Sequence, residues 1–414
     1  MPYRLLRFAL SRTYPEPRMF RAPTTLKSEY DVVIIGGGGH GLAAAYYLAR
    51  DHGITNIAIL EKGYIGGGGT GRNTAIIRSN YLTPEGVNFY QASLDLYEDL
   101  SRELKLNLFY SKRGHFTLAH SSTSLNTQRW RAEVNKNMGV DSEIVGPKFI
   151  KDSIPEIDLA CGGEQAPIYG ALYHPPGAIA RHDAVAWGFA RGADQRGVEI
   201  HQKTAAQDIE LRDGVVVGVH TDRGFIKTRK VLSAVAGWTT NITRMVGLRT
   251  PLVIHPLQAM VTEPLKPWLN HIVVSASMHL YMSQSSRGEL VAGASLDPYE
   301  LISMRSTLEF AESLAAGMID LFPCLNDIKV LRQWAGLCDM TPDFSPIMGT
   351  TPIGGFYIDA GWGTWGFKAT PICGVTMAHT IASGNNHELI RPFNLHRFRD
   401  YQLVGEKGAA SVGH

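Results

Sequence analysis

The amino-acid sequence predicts an α/β fold organised around a parallel sheet, and three segments near the start of the chain carry this prediction. Residues 30–35 (YDVVII) form a short run rich in β-branched residues, and residues 57–60 (IAIL) form a second apolar run. Residues 42–50 (LAAAYYLAR) lie between them and are good helix formers. A strand, a helix and a strand in this order form a βαβ unit, whose strands lie parallel in one sheet.

The turn between the first strand and the helix carries a dinucleotide-binding pattern. Gly36, Gly38 and Gly41 form G-x-G-x-x-G, and Glu61 follows the second strand. Gly36 permits the tight turn, Gly38 lets the backbone approach a pyrophosphate, and Gly41 lets helix and strand pack closely. The helix N-terminus offers free N–H groups to phosphates, and Glu61 would accept hydrogen bonds from ribose hydroxyls. A functionless glycine turn is the alternative, and the pattern leaves both NAD and FAD open.

Composition and charge exclude several classes of protein. The chain has 414 residues and a net charge of +2, without a polybasic run, which argues against nucleic acid or an anionic membrane surface as a partner. Its four cysteines lack the spacing of a zinc site or a redox pair, so neither a metal site nor a disulfide framework is expected. No stretch of about 18 apolar residues occurs, so no spanning helix is expected, and a cytoplasmic location is predicted.

The remaining pattern predicts domains built from separated pieces of the chain. Residues 206–235 resemble a small antiparallel meander, and residues 251–335 alternate strands with one long helix from Leu301 to Leu321. The predicted divisions are an N-terminal arm (1–29), a discontinuous nucleotide-binding domain (30–115, 160–250 and 336–395), a substrate domain (116–159 and 251–335) and a C-terminal tail (396–414).

A second glycine cluster follows Glu61 directly, in residues 63–81 (GYIGGGGTGRNTAIIRSNY). Many FAD enzymes have a loop at this point that passes the pyrophosphate and the ribityl chain. Arg72, Thr74 and Arg78 lie in this cluster, and their alternative interpretation is as solvated loop residues.

Five segments together resemble the D-amino-acid oxidase and sarcosine oxidase superfamily: GGGGHGLAAAYYLA, GGGGTGRNTAIIRSNY, LYHPPGAIARHDAV, VLSAVAGW and GWGTWGFKATPICG. The resemblance spans residues 30–395 and is closest to the beta subunits of the bacterial heterotetrameric branch. It implies a Rossmann-type, glutathione-reductase-like FAD domain interleaved with a mixed-sheet α+β substrate domain that roofs the flavin.

The resemblance also implies an activity and partners. Members oxidise the C–N bond of secondary or tertiary amino acids such as sarcosine, and the heterotetrameric branch adds alpha, gamma and delta subunits. The expected products are glycine, hydrogen peroxide, and formaldehyde or 5,10-methylenetetrahydrofolate. Two alternatives stay open: a dehydrogenase subunit for another imino acid, such as proline or dimethylglycine, and a non-catalytic flavin-binding scaffold.

Residue roles follow from matching motifs. Lys368 (in GFK) and Arg78 (in TAIIR) match the family cations that pair with the substrate carboxylate, and Arg72 is the reserve candidate. A surface lysine at a helix start is the alternative for Lys368. The residues expected at the non-covalently bound FAD are Gly36, Gly38, Gly39, His40, Gly41, Glu61, Lys62, Gly69, Thr70, Arg72, Thr74, Gly237, Gly361, Gly363, Gly366 and Lys368.

A second flavin is implied by the same resemblance. His174, in Tyr-His-Pro-Pro-Gly, is expected to carry FMN covalently, and electrons would pass from FAD to this FMN and then to oxygen. His182, eight residues further on, is the rival, and a plain loop role for His174 is the other alternative. Cys338 is expected to be a structural thiol rather than an attachment point for FAD.

Overall fold

The computed structural model describes Tyr3, Leu6 and residues 9–11, 19–161 and 166–406. Most of the first 18 residues of the predicted N-terminal arm, and residues 407–414 of the predicted tail, therefore lie outside the described residues. Within the described part, no helix combines the length and the apolar character needed to cross a membrane.

The secondary structure alternates strands and helices along the chain. The strands are β1 (Val32–Ile35), β2 (Ile57–Glu61), β3 (Ile76–Ile77), β4 (Ser111–Lys112), β5 (His115–Ala119), β6 (Glu143–Val145), β7 (Gly170–His174), β8 (Ala178–Ile179), β9 (Glu199–Gln202), β10 (Ala206–Arg212), β11 (Val215–Thr221), β12 (Gly224–Lys227), β13 (Val231–Ser233), β14 (Val253–Pro264), β15 (Ile272–Ser275), β16 (Leu280–Gln284), β17 (Glu289–Leu296), β18 (Val330–Met340), β19 (Ile347–Thr350) and β20 (Phe356–Ala360). The α-helices are α1 (Gly39–Asp51), α2 (Pro84–Glu103), α3 (Ser122–Asn137), α4 (Pro147–Ser153), α5 (His182–Asp194), α6 (Thr239–Met245), α7 (Leu308–Leu321) and α8 (Thr370–Ser383).

A six-stranded sheet in the order β19-β20-β13-β1-β2-β9 confirms the predicted βαβ unit. β1 pairs in parallel with β2 on one side and with β13 on the other. Successive side chains of β1 point to opposite faces, so Val32 packs with α1, α2, α5 and α8. Val33 packs on the other face with the antiparallel sheet β10-β11-β12, which confirms the predicted meander.

An eight-stranded mixed sheet in the order β18-β14-β17-β16-β15-β5-β7-β6 forms the second layer. Its neighbouring strands are antiparallel except β15 and β5, which are parallel. The domain boundaries stay a prediction, and three strands do not follow them. β7 falls in the predicted nucleotide segment 160–250 but pairs with β5 and β6. β5 crosses the predicted boundary after residue 115, and β18 crosses the predicted boundary at residue 336.

Two predicted elements differ in the structure. The expected strand at 225–235 is two strands, because β12 belongs to the meander while β13 belongs to the parallel sheet. The expected helix from Leu301 begins only at Leu308, because Thr307 is extended and its Oγ1 caps the helix by accepting from the N–H of Phe310 at 3.2 Å. The helical spacing of apolar residues does not indicate at which residue the N-cap lets the helix begin.

The predicted C-terminal tail is not a free extension up to residue 406. Arg397 is 1% exposed and donates to the two carboxylate oxygens of Asp343 at 2.8 and 3.0 Å, and to the carbonyl of Ser345 at 2.8 Å. The N–H of Val404 donates to the same Asp343 carboxylate at 3.0 Å. The segment is thus fixed to the loop between β18 and β19.

We expect Arg397→Met to lower the free energy of unfolding by about 3–5 kcal/mol, because it leaves the Asp343 carboxylate buried without its cation. Urea denaturation of the purified protein, followed by tryptophan fluorescence, measures this change. The control is Arg399→Met, whose ion pair with Asp400 lies at the surface and should leave the stability unchanged. Equal losses in the two variants would contradict a special role for the buried pair.

Candidate active site

A cleft of about 810 Å³ lies between the parallel sheet and the eight-stranded sheet. The carboxyl ends of β1, β2 and β13 open into it through Ile35, Glu61 and Ala234. The roofing sheet contributes Ala259, Tyr281 and other side chains of its strands. Ligands of open α/β sheets bind outside the carboxyl ends of the strands, so this cleft is the expected cofactor site.

The glycine turn at the floor of the cleft has the geometry that its sequence predicts. Gly36 has φ +115°, and a Cβ there would lie 2.2 Å from the carbonyl oxygen of Ala234. A Cβ on Gly41 would lie 2.1 Å from the carbonyl oxygen of Gly36, so α1 and β1 can approach only without a side chain. Gly38 and Gly39 line the cleft at the N-terminus of α1. This turn suits a pyrophosphate, because its glycines bring no side chains of their own between the backbone and the ligand.

Glu61 orders the turn as well as lining the cleft. Its two carboxylate oxygens accept from the N–H of Gly37 at 2.9 Å and from the N–H of Gly63 at 2.7 Å. The remaining lone pairs of the carboxylate can still accept from ribose hydroxyls. Lys62, the next residue, lies over the ring of Trp238 with its Nζ 4.0 Å from the ring centroid.

The second glycine cluster forms one wall of the cleft. Thr70 accepts from the N–H of Gly39 at 2.9 Å and so ties this wall to the start of α1. Arg72 donates to the carbonyls of Gly67 and Gly68, and its own carbonyl accepts from the indole N–H of Trp334 in the roof. Arg72 therefore holds the loop and roof together at the cleft wall.

Lys368 and Arg78 lie at the inner end of the cleft and are nearly buried, at 7% and 5% exposure. Lys368 sits in a short helical turn before α8, and Arg78 follows β3. Burial and the positive charge of Arg78 lower the pKa of Lys368 well below its usual value. Within the described residues, the Nζ of Lys368 donates one hydrogen bond, to the carbonyl of Thr364 at 3.4 Å. Within residues 19–161 and 166–406, no carboxylate forms a salt bridge with this lysine.

The loop that precedes Lys368 is anchored to the start of α1. His40 Nδ1 lies 3.0 Å from the Asp359 carboxylate, and its Nε2 lies 2.8 Å from the carbonyl of Gly366. Burial alone would lower the pKa of His40, but Asp359 and the Gly366 carbonyl outweigh it, so the pKa lies above the usual value. Cys373 stands beside this pair, with potential ligand atoms of the three residues within 4.8 Å of one another. Both nitrogens of His40 are occupied, so we interpret the group as a hydrogen-bond network.

Most of the predicted cofactor residues line the cleft, and four do not. The lining includes Gly36, Gly38, Gly39, His40, Glu61, Lys62, Gly69, Thr70, Arg72, Thr74, Gly363, Gly366 and Lys368. Gly41 acts through packing, as predicted. Gly237 and Gly361 are corrections: a Cβ on Gly237 would meet Leu337 at 2.6 Å, and Gly361 has φ +74° and donates to Asp339. Glycine at position 237 avoids a clash with the Leu337 side chain, and glycine at position 361 suits the positive φ there.

His174 is the fourth residue outside the cleft. It is 0% exposed, its Nδ1 donates to the carbonyl of Asp141 at 2.6 Å, and its Nε2 accepts from the N–H of Ser79 at 3.3 Å. Burial lowers its pKa to about 3. The rival His182 is partly exposed as the first residue of α5, and its ring has no recorded hydrogen bond within the described chain. His174 therefore lies outside the cleft with both ring nitrogens hydrogen-bonded, and the covalent FMN expected at this residue stays a prediction.

Sequence reasoning missed several cleft residues. His115, Tyr281 and Asp339 line the cleft, and no motif singled them out. Burial and the charge of Arg78 lower the pKa of His115 well below its usual value, so this imidazole is neutral. Cys338 also lines the cleft, and burial with the Asp339 charge raises the pKa of its thiol. A protonated thiol is a poor nucleophile, which agrees with the structural role expected for Cys338.

The glycine turn, the parallel sheet and the roofed cleft define a dinucleotide-dependent oxidoreductase. The chain belongs to the family of FAD-dependent oxidoreductases (DAO), which matches residues 31–380. It is similar to the sarcosine oxidase subunit beta of an Arthrobacter species, at 45% identity over 96% of this chain and 98% of that protein. The subunit of the same name from Rhizobium meliloti is 44% identical over 92% of this chain and 91% of that protein.

Solved structures agree on the fold. The L-proline dehydrogenase of P. horikoshii matches with a TM-score of 0.86 at 26% identity, over 92% of this chain and all of that chain. The glycine oxidase of Geobacillus kaustophilus matches with a TM-score of 0.81 at 21% identity, over 90% of this chain and 99% of that chain. The predicted fold class, with an FAD domain and a mixed-sheet second domain, is confirmed.

We expect Gly36→Ala to abolish stable FAD retention, because a Cβ would clash with the Ala234 carbonyl and a positive φ costs an L-residue about 1–2 kcal/mol. The flavin-to-protein absorbance ratio after gel filtration measures retention. Gly146→Ala is the control, since a Cβ there meets nothing within 4 Å. Full FAD content in Gly36→Ala would show that the turn does not hold the dinucleotide.

Proposed function

We propose that this chain binds FAD non-covalently in the cleft and oxidises sarcosine as the beta subunit of a multi-subunit oxidase. The whole-length similarity to proteins named sarcosine oxidase subunit beta supports the substrate and the multi-subunit assembly. The expected partners are alpha, gamma and delta subunits. The expected products are glycine, hydrogen peroxide, and formaldehyde or 5,10-methylenetetrahydrofolate.

The observation that carries the proposal is the buried positive charge at the inner end of the cleft. Lys368 and Arg78 lie close enough for the charge of one to lower the pKa of the other. A buried lysine is costly unless an anion compensates its charge, and a small carboxylate entering the cleft beside Lys368 supplies that anion. Sarcosine combines such a carboxylate with the secondary amine to be oxidised.

The residues of the chain bind and orient the substrate. Lys368 and Arg78 hold the carboxylate, which fixes the position of the N-methyl carbon. FAD bound in the cleft would supply the acceptor for the hydride that leaves this carbon. The roof, with Tyr281 and Ala259, covers the site and excludes water, which strengthens the ion pairs inside. The neutral imidazole of His115 adds no further positive charge beside the two cations.

A second candidate substrate is a cyclic imino acid such as proline. The fold similarity to an L-proline dehydrogenase, at 26% identity, favours it as the alternative. The same cations would hold the carboxylate of either substrate, so flavin reduction under anaerobic conditions with sarcosine, dimethylglycine and proline in turn separates the candidates.

We also propose a covalent FMN on this chain, at the predicted His174 or at its rival His182. Covalent attachment needs a ring nitrogen that can reach the flavin, and both nitrogens of His174 are buried and hydrogen-bonded. His182 is partly exposed beside Arg181, whose guanidinium lies over the ring of Phe109. An exposed flavin at this surface would allow electron transfer at an interface with another subunit.

We expect Lys368→Met to lower kcat/KM for sarcosine by at least about a hundredfold, because one of two buried partners of the carboxylate is lost. In the unsubstituted enzyme, affinity for acetate should fall as the pH rises through the lowered pKa of Lys368, since only the protonated amine binds a carboxylate. That pH dependence should disappear in Lys368→Met. The control is Lys266→Met, at an exposed position. Retained sarcosine turnover in Lys368→Met would refute the substrate site and favour a scaffold role.

Trypsin can separate the two candidate histidines, because cleavage after Arg181 leaves His174 in peptide 152–181 and His182 in peptide 182–191. FMN mass on peptide 152–181 from the complete complex would assign the attachment to His174, and FMN mass on peptide 182–191 would assign it to His182. Release of all flavin on denaturation would refute a covalent FMN.

A further inference from the structure

The loop that carries Arg78 is held on one side by buried side chains of α3. The carbonyl of Asn80 accepts from Arg131 Nε at 2.7 Å and from Arg78 Nη1 at 3.1 Å. Asn135 Nδ2 donates to the carbonyl of Tyr81 at 2.8 Å. Arg78 itself lies over the ring of Tyr81, with its guanidinium carbon 4.6 Å from the ring centroid. The position of the Arg78 side chain therefore depends on residues 80 and 81, which lead directly into residues 82 and 83.

The other side of this loop is held by Glu406, from the C-terminal segment. The Glu406 carboxylate is 1% exposed and accepts from the N–H of Thr83 at 2.9 Å and from the N–H of Leu82 at 3.1 Å. It also accepts from the hydroxyl of Thr83. Leu82 and Thr83 directly precede α2, where backbone N–H groups have no partner within the helix. Glu406 supplies the acceptors for these donors.

The first turn of α2 leaves space for this carboxylate. Gly86 is buried, and a Cβ there would lie 2.1 Å from Glu406 Oε1. Gly86 has no positive φ, so its backbone does not require glycine. Position 86 therefore needs glycine because a side chain there would displace the Glu406 carboxylate from the loop.

Hydrogen bonds fix the segment before Glu406. The N–H of Glu406 donates to the carbonyl of Asp343 at 3.1 Å, and Ser345 Oγ donates to the carbonyl of Val404 at 2.7 Å. The buried ion pair of Asp343 with Arg397 supports the same segment. Glu406 therefore reaches the loop from a rigid support.

We infer that Glu406 is a positioning residue for the reaction, which places the Arg78 loop so that Arg78 can bind the substrate carboxylate. The inference rests on the proposed function, because it assigns Arg78 to the substrate. The negative charge of Glu406 acts on the positive charge of Arg131. Burial and Arg78 lower the pKa of Arg131 to about 9, and the Glu406 carboxylate opposes that shift. Glu406 thus stabilises the loop through both its hydrogen bonds and its charge.

The test compares Glu406→Gln with Gly86→Ala, which displaces the carboxylate without altering it. Glu85→Gln is the matched control, since Glu85 lies in the same first turn and its carboxylate has no recorded bond to the loop. The FAD-loaded complete complex is assayed for KM and kcat with sarcosine, and acetate is titrated against the flavin absorbance. FAD content and the Tm are measured for each variant.

We expect Glu406→Gln and Gly86→Ala to raise both the KM for sarcosine and the Kd for acetate about tenfold, with kcat within about twofold, because carboxylate binding is weakened equally in the ground and transition states. Glu85→Gln should match the unsubstituted protein. Unchanged acetate affinity in both test variants, even with a lowered Tm, would overturn the inference and leave Glu406 a structural cap. If the unsubstituted complex fails to oxidise sarcosine, the proposed function fails, and acetate titration alone decides the role of Glu406.

Discussion

The burial of positive charge at the inner end of the cleft is the constraint on which the site depends. Lys368 and Arg78 are almost completely removed from water, and a third cation, Arg131, is buried behind them. Burial and Arg78 lower the pKa of both Lys368 and Arg131, so a protonated Lys368 is costly without a bound anion. A carboxylate bound beside Lys368 would offset that cost. Active sites often retain groups that lower the stability of the folded protein, because these groups bind the ligand.

The glycine turn and Lys368 are connected through one short piece of backbone. The close approach of α1 to β1, permitted by Gly41, fixes the helix N-terminus over the cleft. His40, in the first turn of that helix, contacts Asp359 and the carbonyl of Gly366, two residues before Lys368. The dinucleotide turn and the lysine therefore share a single hydrogen-bond network. A displacement of the helix would move both sites together.

The sequence could predict the parts of the site whose causes are local. A strand, a glycine turn and a helix follow from neighbouring residues, so the roles of Gly36 and Gly41 needed no tertiary information. Lys368 and Arg78 came from a resemblance to known motifs, since nothing in their own segments shows burial. Pairing between strands that are far apart in the sequence decides which side chains face the cleft. The sequence therefore did not predict that His115 and Tyr281 line it. For the same reason, the burial of His174 in a sheet could not be anticipated.

The end of the described chain illustrates the same limit. Nothing around Glu406 in the sequence indicates a contact with residues 82 and 83, because the contact exists only once the loop after β18 has fixed the segment in place. A buried carboxylate beside a cationic cluster would compete with the substrate if it faced the cleft. Glu406 does not line the cleft and bonds to backbone donors instead, so it can compensate charge at Arg131 without occupying the position of the substrate carboxylate. Because the Glu406 carboxylate and a ligand in the cleft occupy separate positions, the protein can stay folded around the buried cations and still bind an anionic ligand.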